Sequence, residues 1–126
     1  MSAVENKTMI FEEMKAILKP YAKLFNEQKN TKTHYGLTLN KEVEVSGRQL
    51  KDVAFIDVII QKTYVGLYFM PIYAEPELKK IIPERLKPCL KGKSCFHLKS
   101  WNDSLKSDLE VLFQLGLKSY QEKQWT

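Results

Sequence analysis

The sequence predicts an α+β fold, a two-layer sandwich in which N- and C-terminal helices cover one face of an antiparallel five-stranded sheet. Three observations predict it. The longest apolar run, Asp52–Tyr73, is rich in Val, Ile, Phe and Tyr and is broken only by Gln61, Lys62 and Thr63, which is the pattern of two strands and a tight turn. Helical apolar stripes stand at both ends of the chain, at Ile10, Met14, Ile17, Tyr21 and Leu24 and again at Leu105, Leu109, Leu112, Leu117 and Tyr120. The first four strand candidates between them follow one another through short turns, and such a meander must run antiparallel because parallel neighbours need long crossovers.

Taken in order, residues 1–7 read as a frayed end. Thr8 reads as the N-cap of the first helix, with Glu12 and Glu13 near the positive end of its dipole. Pro20 interrupts this stripe, but the apolar phase continues across it, which predicts one kinked helix ending near Glu27. Asn26–Thr33 is polar and reads as a connection. His34–Leu39 and Lys41–Val45 read as two strands turning at Asn40 and Lys41, with Ser46 and Gly47 ending the second and Arg48–Lys51 a short loop. The central hairpin then spans about Val53–Gln61 and Thr63–Met70. One of its faces carries Ile56, Val58 and Ile60 against Val65, Leu67 and Phe69, and this uniformly apolar set belongs under the helices. The other carries Phe55, Asp57 and Ile59 against Tyr64, Gly66, Tyr68 and Met70.

Pro71 closes the fourth strand, and Pro76 opens a short helix over Glu77–Ile82. Pro83, Pro88 and Gly92 keep the next stretch in short turns. Ser94–Lys99 is the fifth strand, with Phe96 and Leu98 pointing one way and Cys95 and His97 the other. Asn102, Asp103 and Ser104 form a capping cluster for the last helix, about Ser104–Gln121. Gly116 lies in its apolar stripe. A helical glycine costs about 1 kcal/mol relative to alanine, so its presence predicts close approach of the helix to the sheet.

The 126 residues suit a single domain with its own core. A 44% hydrophobic and 28% charged composition is ordinary for a globular protein. No run reaches the roughly 18 apolar residues of a membrane span, and no apolar stretch near the start suits a signal peptide. Cys89 and Cys95 are the only cysteines and read as reduced thiols, which places the protein in the cytoplasm. The charge is local. Lys79–Lys99 holds seven basic residues and one acid, so essentially all of the net charge of +5 sits there. Lys87, Lys91, Lys93 and Lys99 mark a candidate anion patch. Lysine-rich solvated edges are common, and no base-reading motif accompanies the patch, so nucleic-acid binding is expected to be weak and salt-sensitive.

The residues point away from catalysis. Gly92–Ser94 spells GKS, but a phosphate loop needs glycine at position 87, which is lysine, and a helix rather than a strand afterwards. Cys95 and His97 share a strand face about 6–7 Å apart, too far for direct proton transfer, and no oxyanion loop accompanies them. Neither zinc nor a cofactor is implied, because no Cys/His cluster of ligand spacing exists. Asp57 stands out as a carboxylate in an otherwise apolar strand. If covered, it needs a partner, for which His97, Lys99 or a tyrosine hydroxyl is the candidate. The face around it, with Tyr35, Phe55, Asp57, Tyr68, Met70, Tyr73 and His97, is too apolar for a bare sheet surface. It reads as a ligand or partner face that is closed by a homodimer or by the Tyr73–Pro88 segment.

With YVGLYFMPIY, then KGKSCFHLKS and a leucine-rich last helix, the chain over roughly His34–Trp125 resembles the YdhG-like family of bacterial domains. The resemblance implies a frataxin-like α+β sandwich, and for some relatives a frataxin-like iron-chaperone role using an acidic ridge on the first helix and strand. In this chain Lys15, Lys19 and Lys23 follow Glu12 and Glu13, and His34–Leu39 has no acid. Hard cations need clustered carboxylates, so the residues themselves predict no tight metal site. The expectation is a non-enzymatic binding domain with an unidentified protein or small-molecule partner.

Overall fold

A computed structural model describes residues 2–126. Helix α1 spans Ala3–Leu18 and is capped by Ser2, whose hydroxyl accepts from the Glu5 amide. The cap therefore precedes Thr8, and of the residues expected to fray only Met1 lies outside the described residues. The α-helix ends before Pro20, and Lys19–Lys23 continues as one 3-10 turn with the proline in its first positions. Proline there loses no hydrogen bond that the turn needs, so the chain stops and tightens where a kinked helix was expected.

The described residues hold eight strands: β1 (Asn26–Asn30), β2 (His34–Thr38), β3 (Val43–Val45), β4 (Arg48–Leu50), β5 (Ala54–Ile60), β6 (Val65–Phe69), β7 (Leu90–Lys91) and β8 (Cys95–Leu98). Six of them form one antiparallel sheet in the order β1-β2-β5-β6-β8-β7. The extra members arise from two sources. The polar segment expected as a connection is the fully exposed edge strand β1, and its lack of apolar alternation is what an edge with no face to bury can tolerate. The segment before Cys95 contributes the two-residue β7. The expected meander is also redirected. Strand β3 pairs with β4, which occupies the expected loop at Arg48–Lys51, and this hairpin forms its own two-stranded sheet. Ser46 and Gly47 supply its turn, both with positive φ, at 52° and 80°, as a tight primed hairpin turn requires. The partner of β2 is therefore β5.

Helix α2 (Met70–Ala74) takes the chain out of β6, with Pro71 in its first turn, and 3-10 turns cover Pro76–Lys80 and Glu84–Cys89. Helix α3 spans Asp103–Glu122, capped by Asn102, whose side-chain oxygen accepts from the Leu105 amide.

The two long helices pack on one sheet face, giving the two-layer sandwich. The covered face consists of apolar rows across the strands: Leu37, Ile56 and Phe69; Tyr35, Val58, Leu67 and Phe96; Ile60, Val65 and Leu98. All are completely or almost completely buried except Ile60 at the hairpin end. Fully burying one such side chain contributes about 1.5–3 kcal/mol. From α1 come Ile10, Phe11, Met14 and Leu18, and from α3 Leu109, Leu112, Phe113 and Tyr120. Gly116 lets α3 touch the sheet: a Cβ there would lie 2.5 Å from the Phe69 ring and 2.9 Å from Pro71. The Tyr120 hydroxyl donates to the Ala54 carbonyl at 2.7 Å and pins the far end of the helix.

Candidate functional site

Among the described residues no helix lies over the opposite sheet face, and strand alternation decides what it carries. Residues paired across neighbouring strands share a face. One row runs Lys29, Gly36, Asp57, Tyr68, Cys95 and Lys91. The next runs His34, Ile59, Gly66 and His97. Apart from the terminal lysines and the glycines, these side chains are half-buried.

Asp57 is paired, but with none of the predicted partners. Its Oδ1 lies 2.7 Å from Nε2 of His34, diagonally across β2 and β5. Gly36 makes room for this contact, since a Cβ at that position would come 2.2 Å from the same carboxylate oxygen. His97 instead stacks flat on Tyr64, with ring centroids 3.8 Å apart and planes 11° from parallel. Tyr64 and Tyr68 lean over Gly66, where a Cβ would meet their rings at 3.4 Å and 3.1 Å. The Gln61 amide donates to the Tyr68 hydroxyl at 3.1 Å. The two glycines thus form the floor of the face, while paired and stacked rings partly shield it from water.

Of the predicted site residues, Asp57, Tyr68 and His97 meet on this open face. Tyr35 and Phe55 do not. Tyr35 shares the parity of Leu37, and its fully buried ring lies in the core layer, with the ammonium groups of Lys15 and Lys19 5.5 Å and 5.9 Å from its centroid. Its hydroxyl donates to Glu27 on β1. Phe55 is turned inward by a bulge: Leu37 pairs with Ile56 but Thr38 pairs with Ala54, leaving Phe55 as the extra residue. Its ring is fully buried, stacked on Phe25 at 4.2 Å and set against Tyr120 and Phe69. Met70 and Tyr73 belong to α2 rather than to the strand face and line a separate apolar cavity described below. His34 and Tyr64 complete the open face. His34 was legible in the sequence, since it has the parity opposite to Leu37.

The electrostatics do not activate a nucleophile. Burial pushes the Cys95 thiol up from its ordinary value, only partly offset by the Tyr68 hydroxyl, and burial likewise pushes up Cys89. Both cysteines are free. Tyr68 is pushed up by burial first and then by the neighbouring Cys95. The His34 ring has no hydrogen-bond partner other than Asp57 among the described residues. The His34 imidazole and the Asp57 carboxylate thus form a pair within the face.

The basic segment is dispersed. Lys87 pairs with Glu84 at 2.6 Å, Lys80 with Glu77 at 2.9 Å and Arg85 with Asp108 at 3.1 Å. Lys91 ends one row of the open face, Lys93 stands 5.8 Å from the Tyr73 ring centroid, and the Lys99 carbonyl accepts from the Asn6 side chain. Among the described residues no group of three or more His, Cys, Asp or Glu side chains is placed to hold a metal ion, and no helix is long and apolar enough to cross a membrane.

No family model matches the chain, and no match was found among curated proteins or solved structures.

Proposed function

We propose that the protein is a non-enzymatic binding domain that works through the open face of its sheet, with a protein surface, most simply a second copy of the chain, as the occupant. One observation carries the reading. Two adjacent rows bring Asp57, Tyr68, His34 and His97 together, with Tyr64 stacked on His97, on a face that the chain's own helices leave uncovered. Aromatic rings with polar tips suit such a role, because they bury large areas at little entropic cost while their polar atoms remain partnered. The pairing of His34 with Asp57 and of Tyr68 with Gln61 leaves these groups already satisfied within the face, so a partner can cover them at little desolvation cost. The resemblance to the YdhG-like family is compatible with this reading. An iron-chaperone role rests on that resemblance alone. Two free cysteines with raised thiols suit a reducing compartment, and we place the domain in the cytoplasm.

Sedimentation of the wild type and Tyr68→Ala tests the proposal. The wild type should associate in a concentration-dependent manner, and Tyr68→Ala should shift the equilibrium at least about tenfold towards monomer while still melting cooperatively. A wild type that stays monomeric at every concentration, with Asp57, Tyr68 and His97 fully exchangeable with water, defeats the reading.

A further inference from the structure

A second site lies away from the open face. The β3–β4 hairpin, helix α2 and the end of α3 line an apolar cavity of about 410 Å³ that is open to solvent on one side, within the range of roughly 300–1,000 Å³ typical of small-molecule sites. Val45 and Leu50 line it from the hairpin, Met70 and Tyr73 from α2, Tyr120 from the last turns of α3 and Trp125 from the segment that follows it. Val43, Val45 and Leu50 are turned inward, while Glu44 and Gln49 are exposed; Arg48, opposite Val45 at the turn end, is also exposed. It makes no ladder with the six-stranded sheet. Two-stranded hairpins are marginal on their own, so this one depends on its apolar contacts with the rest of the fold.

The polar groups around the cavity define the occupant. The Tyr120 hydroxyl is already committed to the Ala54 carbonyl, and the Trp125 ring sits edge-on to Tyr120 at 5.0 Å. The floor therefore asks for an apolar body. The charges beside the lining rings are cationic. Lys123 lies 5.9 Å from the Trp125 centroid and is neutralised by Glu75 at 2.9 Å. Lys93 lies 5.8 Å from the Tyr73 centroid and forms no ion pair among the described residues. We infer that this cavity binds a small amphiphile with an alkyl body and a single carboxylate, the body under the β3–β4 hairpin and the carboxylate at Lys93.

Calorimetric titration of the full chain with decanoate, 1-decanol and decylamine, each below its aggregation limit, tests the inference. Decanoate should bind saturably at one site, 1-decanol up to about fivefold more weakly, as an exposed ion pair allows, and decylamine more weakly still. Lys93→Gln should erase the difference between decanoate and 1-decanol. Ala74→Trp fills the cavity from an exposed lining position and should weaken decanoate at least about tenfold, since a filled site has no room for the chain, while the protein still melts cooperatively. Tyr68→Ala, on the open face, should leave decanoate affinity unchanged, so this site and the sheet-face reading stand or fall separately. Absence of saturable decanoate binding, or equal affinity in a folded Ala74→Trp protein, overturns the site. Equal binding of decanoate and 1-decanol by the wild type overturns the carboxylate assignment. Loss of binding in Tyr68→Ala overturns the location.

Discussion

The two faces of one sheet are built from the same strands and differ in every physical respect. On the helix side, Val58 and its neighbours are fully buried and uniformly apolar. One residue along, on the other side, Asp57 and Ile59 are half-buried among rings, imidazoles and glycines. The helix side is close-packed and cannot give without cost. The open side satisfies its polar atoms laterally and keeps access to solvent. The difference teaches that stability is concentrated on one side and freedom to bind on the other.

The largest expected effect comes from placing one charge on each face in turn. Val58→Asp should abolish cooperative folding, because an unpaired carboxylate in the core costs several kcal/mol of a marginal total. Ile59→Asp should remain folded, losing about 1 kcal/mol for the half-buried side chain. Thermal unfolding monitored by circular dichroism separates them, and equal losses would break the comparison.

Glycine to alanine gives the next contrast. At Gly116 the new methyl meets the Phe69 ring and Pro71 inside the packed layer. Overpacking of about 1–3 kcal/mol should exceed the helix-propensity gain of about 1 kcal/mol. A net loss near 1 kcal/mol is expected in urea unfolding. At Gly36 the nominal contact with Asp57 is closer, but that carboxylate can swing towards water. Gly36→Ala should break the His34–Asp57 bond and cost less than Gly116→Ala. A larger loss at Gly36 would mean that the open face is as rigid as the core.

The alkaline limb of stability probes how deeply the tyrosines are set. Burial raises Tyr120 and Tyr35 above the ordinary phenol value of 10.0, with Glu27 adding to the shift at Tyr35. A group whose folded pKa is raised contributes stability that is complete below its unfolded pKa and is lost as pH rises. Stability should therefore fall above about pH 10. Tyr120→Phe should flatten that fall while costing about 1 kcal/mol at neutral pH, the usual value of one hydrogen bond. An unchanged alkaline slope in Tyr120→Phe would count against the buried setting of this ring.

The smallest effect sits where the core face meets the sheet edge. The Tyr35 hydroxyl, and then Lys19, hold the Glu27 carboxylate below its ordinary value of 4.5. A depressed carboxylate contributes stability above its unfolded pKa and loses it as pH falls through the folded pKa. Glu27→Gln should therefore cost about 0.5–1 kcal/mol at neutral pH, the range of exposed ion pairs. The difference from wild type should fade below about pH 4.5 in acid titration of stability. A difference that persists at low pH would assign the loss to packing rather than charge.

Periodicity alone determined a large share of this protein. The helical stripes, the antiparallel hairpin with its turn at Lys62, the burial of Phe96 and Leu98, and the close approach at Gly116 all follow from local spacing and side-chain size. These are properties of one element and one neighbour, and a linear pattern carries them. It failed where a residue's setting depends on a third element. Asn26–Asn30 is a strand only because β2 offers it an edge, and its polar side chains carry no sign of that. Phe55 is core because a bulge against β2 changes its side, and a single extra residue leaves the apolar count of the strand unaltered. His34 becomes the partner of Asp57 because β5 pairs with β2 instead of continuing a meander through β3. The cavity under the β3–β4 hairpin requires α2, the hairpin and the end of α3 to meet. Pairing partners and register are decided by packing over long sequence separations, and only the tertiary structure holds that information.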